Sequence, residues 1–322
     1  MPRRPRLTGA ATAALALGLV AAAPAPGSEP PVGDARVVAR FDPAAGQRPE
    51  NIAPAPDGSA DLTFAFARTV ARVAPDGTRT TRATLPAVTG AATPLVRGAV
   101  VTGIARAHDG TLYVNYATGT RATGIWRISP GGTPEQIAGL PPDGFPNGLA
   151  LDGRRGVLYA ADSVHGTVWR VPVSGGPATA WAHRTELRPA RAGAFGANGL
   201  KVHRGAVWVS NTDRGTLLRV PVREDGSAGT PETRARGLDG IDDFTFPGAG
   251  RTVLAALNGS NQVVLVGRDG GHTVVLTAAD GLAGPTSVAV RGRTVYVPSA
   301  AYRVQRDPNL LLARLRYHFG RL

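Results

Sequence analysis

The chain has no cysteine, one methionine and a single lysine, Lys201, among its 322 residues. Without cysteine there is no disulfide framework, no thiolate metal site and no cysteine nucleophile. Aromatic residues make up only 6% of the chain, and past Ala23 no apolar run is long enough to cross a bilayer. No later stretch holds a 3.6-residue hydrophobic period, which argues against long amphipathic helices. A G-x-S-x-G nucleophile elbow, a phosphate-binding loop and a dinucleotide fingerprint are also missing. The six histidines, at 108, 165, 183, 203, 272 and 318, have no H-x-x-x-H spacing and read as surface residues. Acidic residues are few, 23 against 36 basic ones, for a net charge of +13. The arginines are scattered, however, and no basic stretch interleaves with aromatics, so no nucleic-acid partner is expected.

What is plentiful is glycine and proline, 42 and 27 residues, in a chain that is 43% hydrophobic. That combination describes many short segments joined by turns, an all-β protein with enough chain for a sizeable core. At the N-terminus, Arg3, Arg4 and Arg6 precede an uncharged apolar stretch from Leu7 to Ala23, which Pro24, Pro26, Gly27 and Ser28 end. This is the layout of a secretory signal peptide. Residues 1–28 are therefore expected to be cleaved, leaving 29–322 as an exported single domain with no stable membrane association.

A repeat organises that domain. Pro146-Asn147-Gly148-Leu149-Ala150-Leu151 is followed by Val157–Asp162 and Gly166–Val171. The same layout recurs from Ala197-Asn198-Gly199-Leu200, through Ala206–Asn211, to Gly215–Val220. Related copies start at Glu50, Thr102, Asp242 and Thr286, giving intervals of 52, 45, 51, 44 and 44 residues. A period of this size, with about four short strands per copy, predicts a six-bladed β-propeller. A β-sandwich or an open solenoid is the competing architecture. The last copy has only three strands, ending with Asn309–Leu315, while a spare strand at 35–41 precedes the first. Pairing the two would close the ring and cover an exposed edge. Trp126, Trp169, Trp208 and Tyr296 recur within strands and read as packing between blades.

In a propeller the innermost strands line a central channel, so Glu50, Thr102, Asn147, Asn198, Asp242 and Thr286 are expected to converge. Two carboxylates and two carboxamides in one funnel are a net negative, hard-oxygen set. Such a set suits Ca²⁺, with Mg²⁺, Mn²⁺ or Zn²⁺ as alternatives. Asn147-Gly148 and Asn198-Gly199 are also ordinary turn dipeptides.

These motifs, with Pro49-Glu50 ahead and Gly240-Ile241-Asp242-Asp243-Phe244 behind, resemble the senescence-marker-protein/gluconolactonase/luciferin-regenerating-enzyme family of six-bladed propellers, over roughly residues 35–316. The resemblance implies one divalent metal held by Glu50, Asn198 and Asp242, with Asn147 on the substrate side. Asp242-Asp243 leaves either carboxylate open as the ligand, Asp242 being preferred. The resemblance further implies hydrolysis of a small-molecule lactone or related ester. Asp242 would take the proton from water, and Asn147 and Thr102 would hydrogen-bond the substrate. Two other readings are a non-catalytic exported scaffold similar to NHL-type repeats, binding a protein or glycan, and a propeller whose metal is purely structural.

Overall fold

A computed structural model of the chain describes residues 30–316; the segment read as a signal peptide lies outside them. The described residues form six four-stranded antiparallel sheets and two short 3₁₀ turns. Blade one consists of Pro49–Pro54, Ala60–Phe64, Thr69–Val73 and Arg79–Thr84 in sheet order, axis to rim. The innermost strands of blades two to five are Val100–Arg106, Pro146–Asp152, Ala197–His203 and Ile241–Thr245. Blade six is Ala289–Arg291, Thr294–Ser299 and Asn309–Leu315, completed by Val32–Arg40 from the N-terminus. That closing strand runs antiparallel, from Val32 opposite Leu315 to Arg40 opposite Asn309. The expected closure is present, beginning at Val32 instead of Ala35.

Local chemistry explains the hairpins. Asp57, Asp76, Asp109, Asp225 and Asp269 each accept a hydrogen bond from the backbone N–H two residues on, at 2.9–3.1 Å. The glycine after each Asp takes a positive φ, between 80° and 93°, which closes the turn at little steric cost.

The core lies between blades. Six apolar clusters each combine one blade with the next, and the one that joins blade six to blade one gathers Ala289, Tyr296 and Leu310 around Ile52, Leu62 and Phe64. Trp126, Trp208 and Tyr296 are buried in such clusters and Trp169 packs against another, as expected. Polar side chains add a second tie at every interface. Going round the ring, Thr63, Thr102, Ser163, Thr212, Asn258 and Thr286 each donate to a backbone carbonyl of the following blade, at 2.6–3.2 Å. A buried carbonyl left unpaired would cost more than each bond contributes, so this girdle makes blade spacing specific.

Candidate functional site

Every innermost strand from blade one to blade five breaks register at the same place. The breaks fall between Pro49 and Asn51, Val101 and Ile104, Pro146 and Leu149, Ala197 and Leu200, and Ile241 and Phe244. A bulge releases its residues from the ladder and turns a side chain away from the pleat. The residues so released are Glu50, Thr102, Asn147, Asn198 and Asp242. All five line one cavity of about 390 Å³ at the centre of the ring. Sequence register thus placed them together because the irregularity itself repeats. Thr286, the sixth, does not line this cavity: its hydroxyl donates to the carbonyl of Pro49 at 2.8 Å.

The next register position has a different task. Gly103, Gly148 and Gly199 each abut the following blade so closely that an added Cβ would lie 2.6 Å from Leu149 N, 2.8 Å from Leu200 N and 2.6 Å from Asp243 Cα, respectively. Their φ values are ordinary, so close approach, not backbone freedom, requires glycine. Round the rest of the ring this position carries Asp243, Ser287 and Asn51, and these meet. The Asp243 carboxylate accepts from Ser287 Oγ at 2.7 Å, from Asn51 Nδ2 at 3.2 Å and from Lys201 Nζ at 2.6 and 2.7 Å. Asp243 is 1% exposed and lies outside the cavity lining, whereas Asp242 is part of it. The only lysine of the chain therefore serves to neutralise a carboxylate near the axis, and of the two aspartates Asp242 is the one available to a ligand.

Both carboxamides are held in one orientation. Ser163 Oγ donates to Ala197 O at 2.7 Å, so it can only accept from Asn147, whose Nδ2 lies 3.2 Å away. Thr212 Oγ1 likewise donates to Ile241 O at 2.7 Å and accepts from Asn198 Nδ2 at 2.9 Å. Each NH₂ is thus fixed toward its hydroxyl, and each carbonyl oxygen is left without a donor among the described residues. Ser163 and Thr212 sit in matching inter-strand loops of successive copies. Asp162 caps the first of these, accepting from the N–H groups of Phe145, Val164 and His165. The hydroxyls beside such caps hold the site amides, and their recurrence at matching positions of two copies was the available signal. Thr102 lines the cavity, but its hydroxyl proton goes to Pro146 O at 2.8 Å. It is therefore placed to accept a hydrogen bond from a ligand, not to donate one.

Tyr302 had no counterpart in the sequence reading. It follows the second strand of blade six, and its hydroxyl donates to Glu50 Oε2 at 2.5 Å. Arg48 stands behind its ring, 5.9 Å from the centroid, and is tied to the carbonyls of Ala300 and Ala301. Burial pushes Glu50 up to about 7; the Asp243 charge adds to this and the Tyr302 hydrogen bond opposes it. Burial also pushes Asp242 well above the usual carboxylate range, helped by Glu50 and Asp243 and opposed by a hydrogen bond from Asn198. Two anions are thus confined where both resist ionisation, an arrangement that a bound cation relieves. Among the described residues no group of three or more His, Cys, Asp or Glu is placed to hold a metal. The candidate donor set is of another kind: two carboxylates with carboxamides, hard oxygens suited to Ca²⁺ or Mg²⁺ and poorly suited to softer metals. His165, read as a surface residue, lies 3.1 Å from Asp162 and 3.4 Å from Asp143, outside the cavity lining.

Fold and channel together define a six-bladed β-propeller with a polar-floored central cavity. Its solved relatives in shape include the luciferin-regenerating enzyme, at 12% identity over 88% of this chain and 95% of that one with a TM-score of 0.65. A gluconolactonase from Xanthomonas campestris matches at 16% identity over 90% and 98%, TM-score 0.62. Virginiamycin B lyase from Staphylococcus aureus matches at 15% over 88% and 98%, TM-score 0.57. The resemblance drawn from the sequence motifs is borne out in the fold. No protein-family model and no curated protein sequence matches the chain.

Proposed function

We propose that this protein is an exported, divalent-metal-dependent hydrolase that opens a lactone or related ester. The observation that carries the reading is the cavity floor, where Glu50, Asn147, Asn198 and Asp242 converge from four bulged strands with both amide orientations fixed. Glu50, Asn198 and Asp242 would hold the cation, Ca²⁺ being the best match to hard oxygen donors. When bound, a cation supplies Lewis-acid polarisation of an ester carbonyl and acidifies water. The chain's own groups do the rest. The Asp242 carboxylate accepts the proton of the attacking water at an oxygen. The Asn147 carboxamide orients the substrate, and the Tyr302 hydroxyl fixes the Glu50 carboxylate. Both the gluconolactonase shape and the acid-base content of the floor favour hydrolysis over the lyase chemistry of the virginiamycin neighbour. A variant of that lyase lacking one histidine is catalytically inactive, whereas among the described residues no histidine lines this cavity. Export rests on the arginine-led apolar segment that ends near Ser28.

The test is metal content and Ca²⁺ calorimetry on the mature protein, with a lactone panel, beside Glu50→Gln and Asp242→Asn. One divalent ion per chain and a loss of hydrolysis of roughly a hundredfold or more in either variant are expected. No binding at millimolar Ca²⁺ together with no lactone opening would leave the scaffold reading in its place.

A further inference from the structure

The floor is polar, but the walls above it are not. Phe145 and Phe195 meet edge to face with ring centroids 5.4 Å apart, and Phe66 and Tyr302 do so at 6.2 Å. The first pair precedes the innermost strands of blades three and four; the second follows the second strands of blades one and six. In a ring of six those are opposite sides, so the floor lies between two aromatic pairs. Val96 and Val100 close the blade-two side.

Phe66 keeps 39% of its surface exposed, one of three large hydrophobic side chains so exposed among the described residues. Concentrating bare phenyl surface at a cavity mouth is unfavourable in water and is explained when a ligand covers it. Two polar side chains of the wall spend their donors on the protein itself. Asn258 Nδ2 donates to Gly284 O and Pro285 O, and the Tyr302 hydroxyl is held by Glu50. Arg303 stands at the rim, exposed to solvent. A polyhydroxylated sugar lactone would find partners at the floor, at Asn258 Oδ1 and at Arg303, but hydroxyls on the sides of Phe66 and Phe195 would lie against phenyl rings and lose hydration there without replacement.

Resting on the hydrolase reading for the ester group, we propose that the substrate is a lactone bearing an aromatic, apolar substituent. The ester carbonyl meets the floor, and the aryl group fills the space between Phe195 and Phe66, covering the surface they expose. Edge and face contacts with aromatic rings suit such a group better than they suit a polyol.

The test separates binding from catalysis by using lactams, which occupy a lactone site without being opened. Calorimetry compares dihydroquinolinone, the lactam of dihydrocoumarin, with gluconolactam, on the wild-type chain and on Phe66→Ser, Phe195→Ser and Phe195→Leu. Thermal melts confirm that each variant is folded; Phe66 and Phe195 are partly exposed, so these side chains are removable. The aryl lactam is expected to bind at least tenfold tighter than the polyol. Each serine variant should weaken it roughly tenfold while leaving the polyol unchanged, and Phe195→Leu should keep most of the affinity. Equal or tighter binding of gluconolactam, or no binding of the aryl lactam, overturns the inference. Phenylalanine-dependent binding without opening of any lactone would remove the hydrolase reading and leave the ligand class. Opening of gluconolactone at an unchanged rate in the serine variants would do the reverse.

Discussion

Glu50 shows how a single side chain can record the need for a ligand. Glu50 is half-buried and shares the cavity lining with Asp242, and its pKa is displaced from 4.5 to about 7, chiefly by burial. A carboxyl whose pKa rises on folding binds more protons in the folded state than in the unfolded one. Its stabilising contribution is present below pH 4.5 and is lost as the pH rises through 7. Chelator-treated protein should therefore lose stability across that window, by on the order of 3 kcal/mol from Glu50. Asp242, shifted the same way, adds to the effect. Urea titrations at stepped pH measure it: Glu50→Gln should flatten the profile, and added Ca²⁺ should reverse its slope. A flat profile in the chelated wild type would show that the two carboxylates are better solvated than this geometry implies. Asp243 presents the opposite case. With Lys201, Ser287 and Asn51 on its oxygens, it is an internally satisfied charge. The sequence resemblance preferred Asp242 without a physical reason, because the partners of Asp243 come from blades four, six and one.

At the scale of the strand, the repeated bulge followed by a small residue is what builds the cavity. Gly148→Ala should destabilise the protein by about 2–4 kcal/mol, since the added methyl meets the backbone of the next blade and neither strand has room to shift. Gly153→Ala, a few residues along in a turn with open space around it, should change stability by less than about 0.5 kcal/mol. Thermal unfolding of the pair decides, and equal effects would mean that the blades yield more easily than their girdle of hydrogen bonds suggests. This element was legible in outline. Asn-Gly at equivalent positions of two copies marked the channel residues, and the abundance of glycine and proline marked the turns between short strands. The bulge was not legible, because Asn147-Gly148 reads equally well as a turn until its strand is seen to continue on both sides. Thr286 went astray for a related reason. It precedes the short innermost strand of blade six, Ala289–Arg291, and its hydroxyl is used to clasp blade one. Tyr302, Phe66 and Phe195 lie in loops between strands, where no period constrains the sequence, and only closure of the ring brings them to the cavity.

For the whole molecule the decisive joint is the one between its two ends. The 47-residue spacing was readable because each copy must bury a face against its neighbour, and a closed ring gives every blade two neighbours. With no disulfide in the chain, closure depends on Val32–Arg40 pairing with Asn309–Leu315 and on the cluster linking blades six and one. Val32, Ala39 and Phe41 are buried at 2, 9 and 6% exposure, and Phe41 packs edge-on against Phe64 of blade one at 4.8 Å. Removing the strand exposes a bare sheet edge along Asn309–Leu315 and opens part of two core clusters at once. The cost should be of the order of the whole domain's stability, roughly 5–15 kcal/mol. A chain beginning at Asp42 is accordingly expected to aggregate or to lose its cooperative melt, as read by size-exclusion chromatography and circular dichroism. Supplying a peptide of residues 30–41 should restore the melt, because an extended segment can add to an open edge through main-chain hydrogen bonds alone. A shortened chain that stays monomeric and melts like the full-length protein would show that inter-blade packing by itself holds the ring closed.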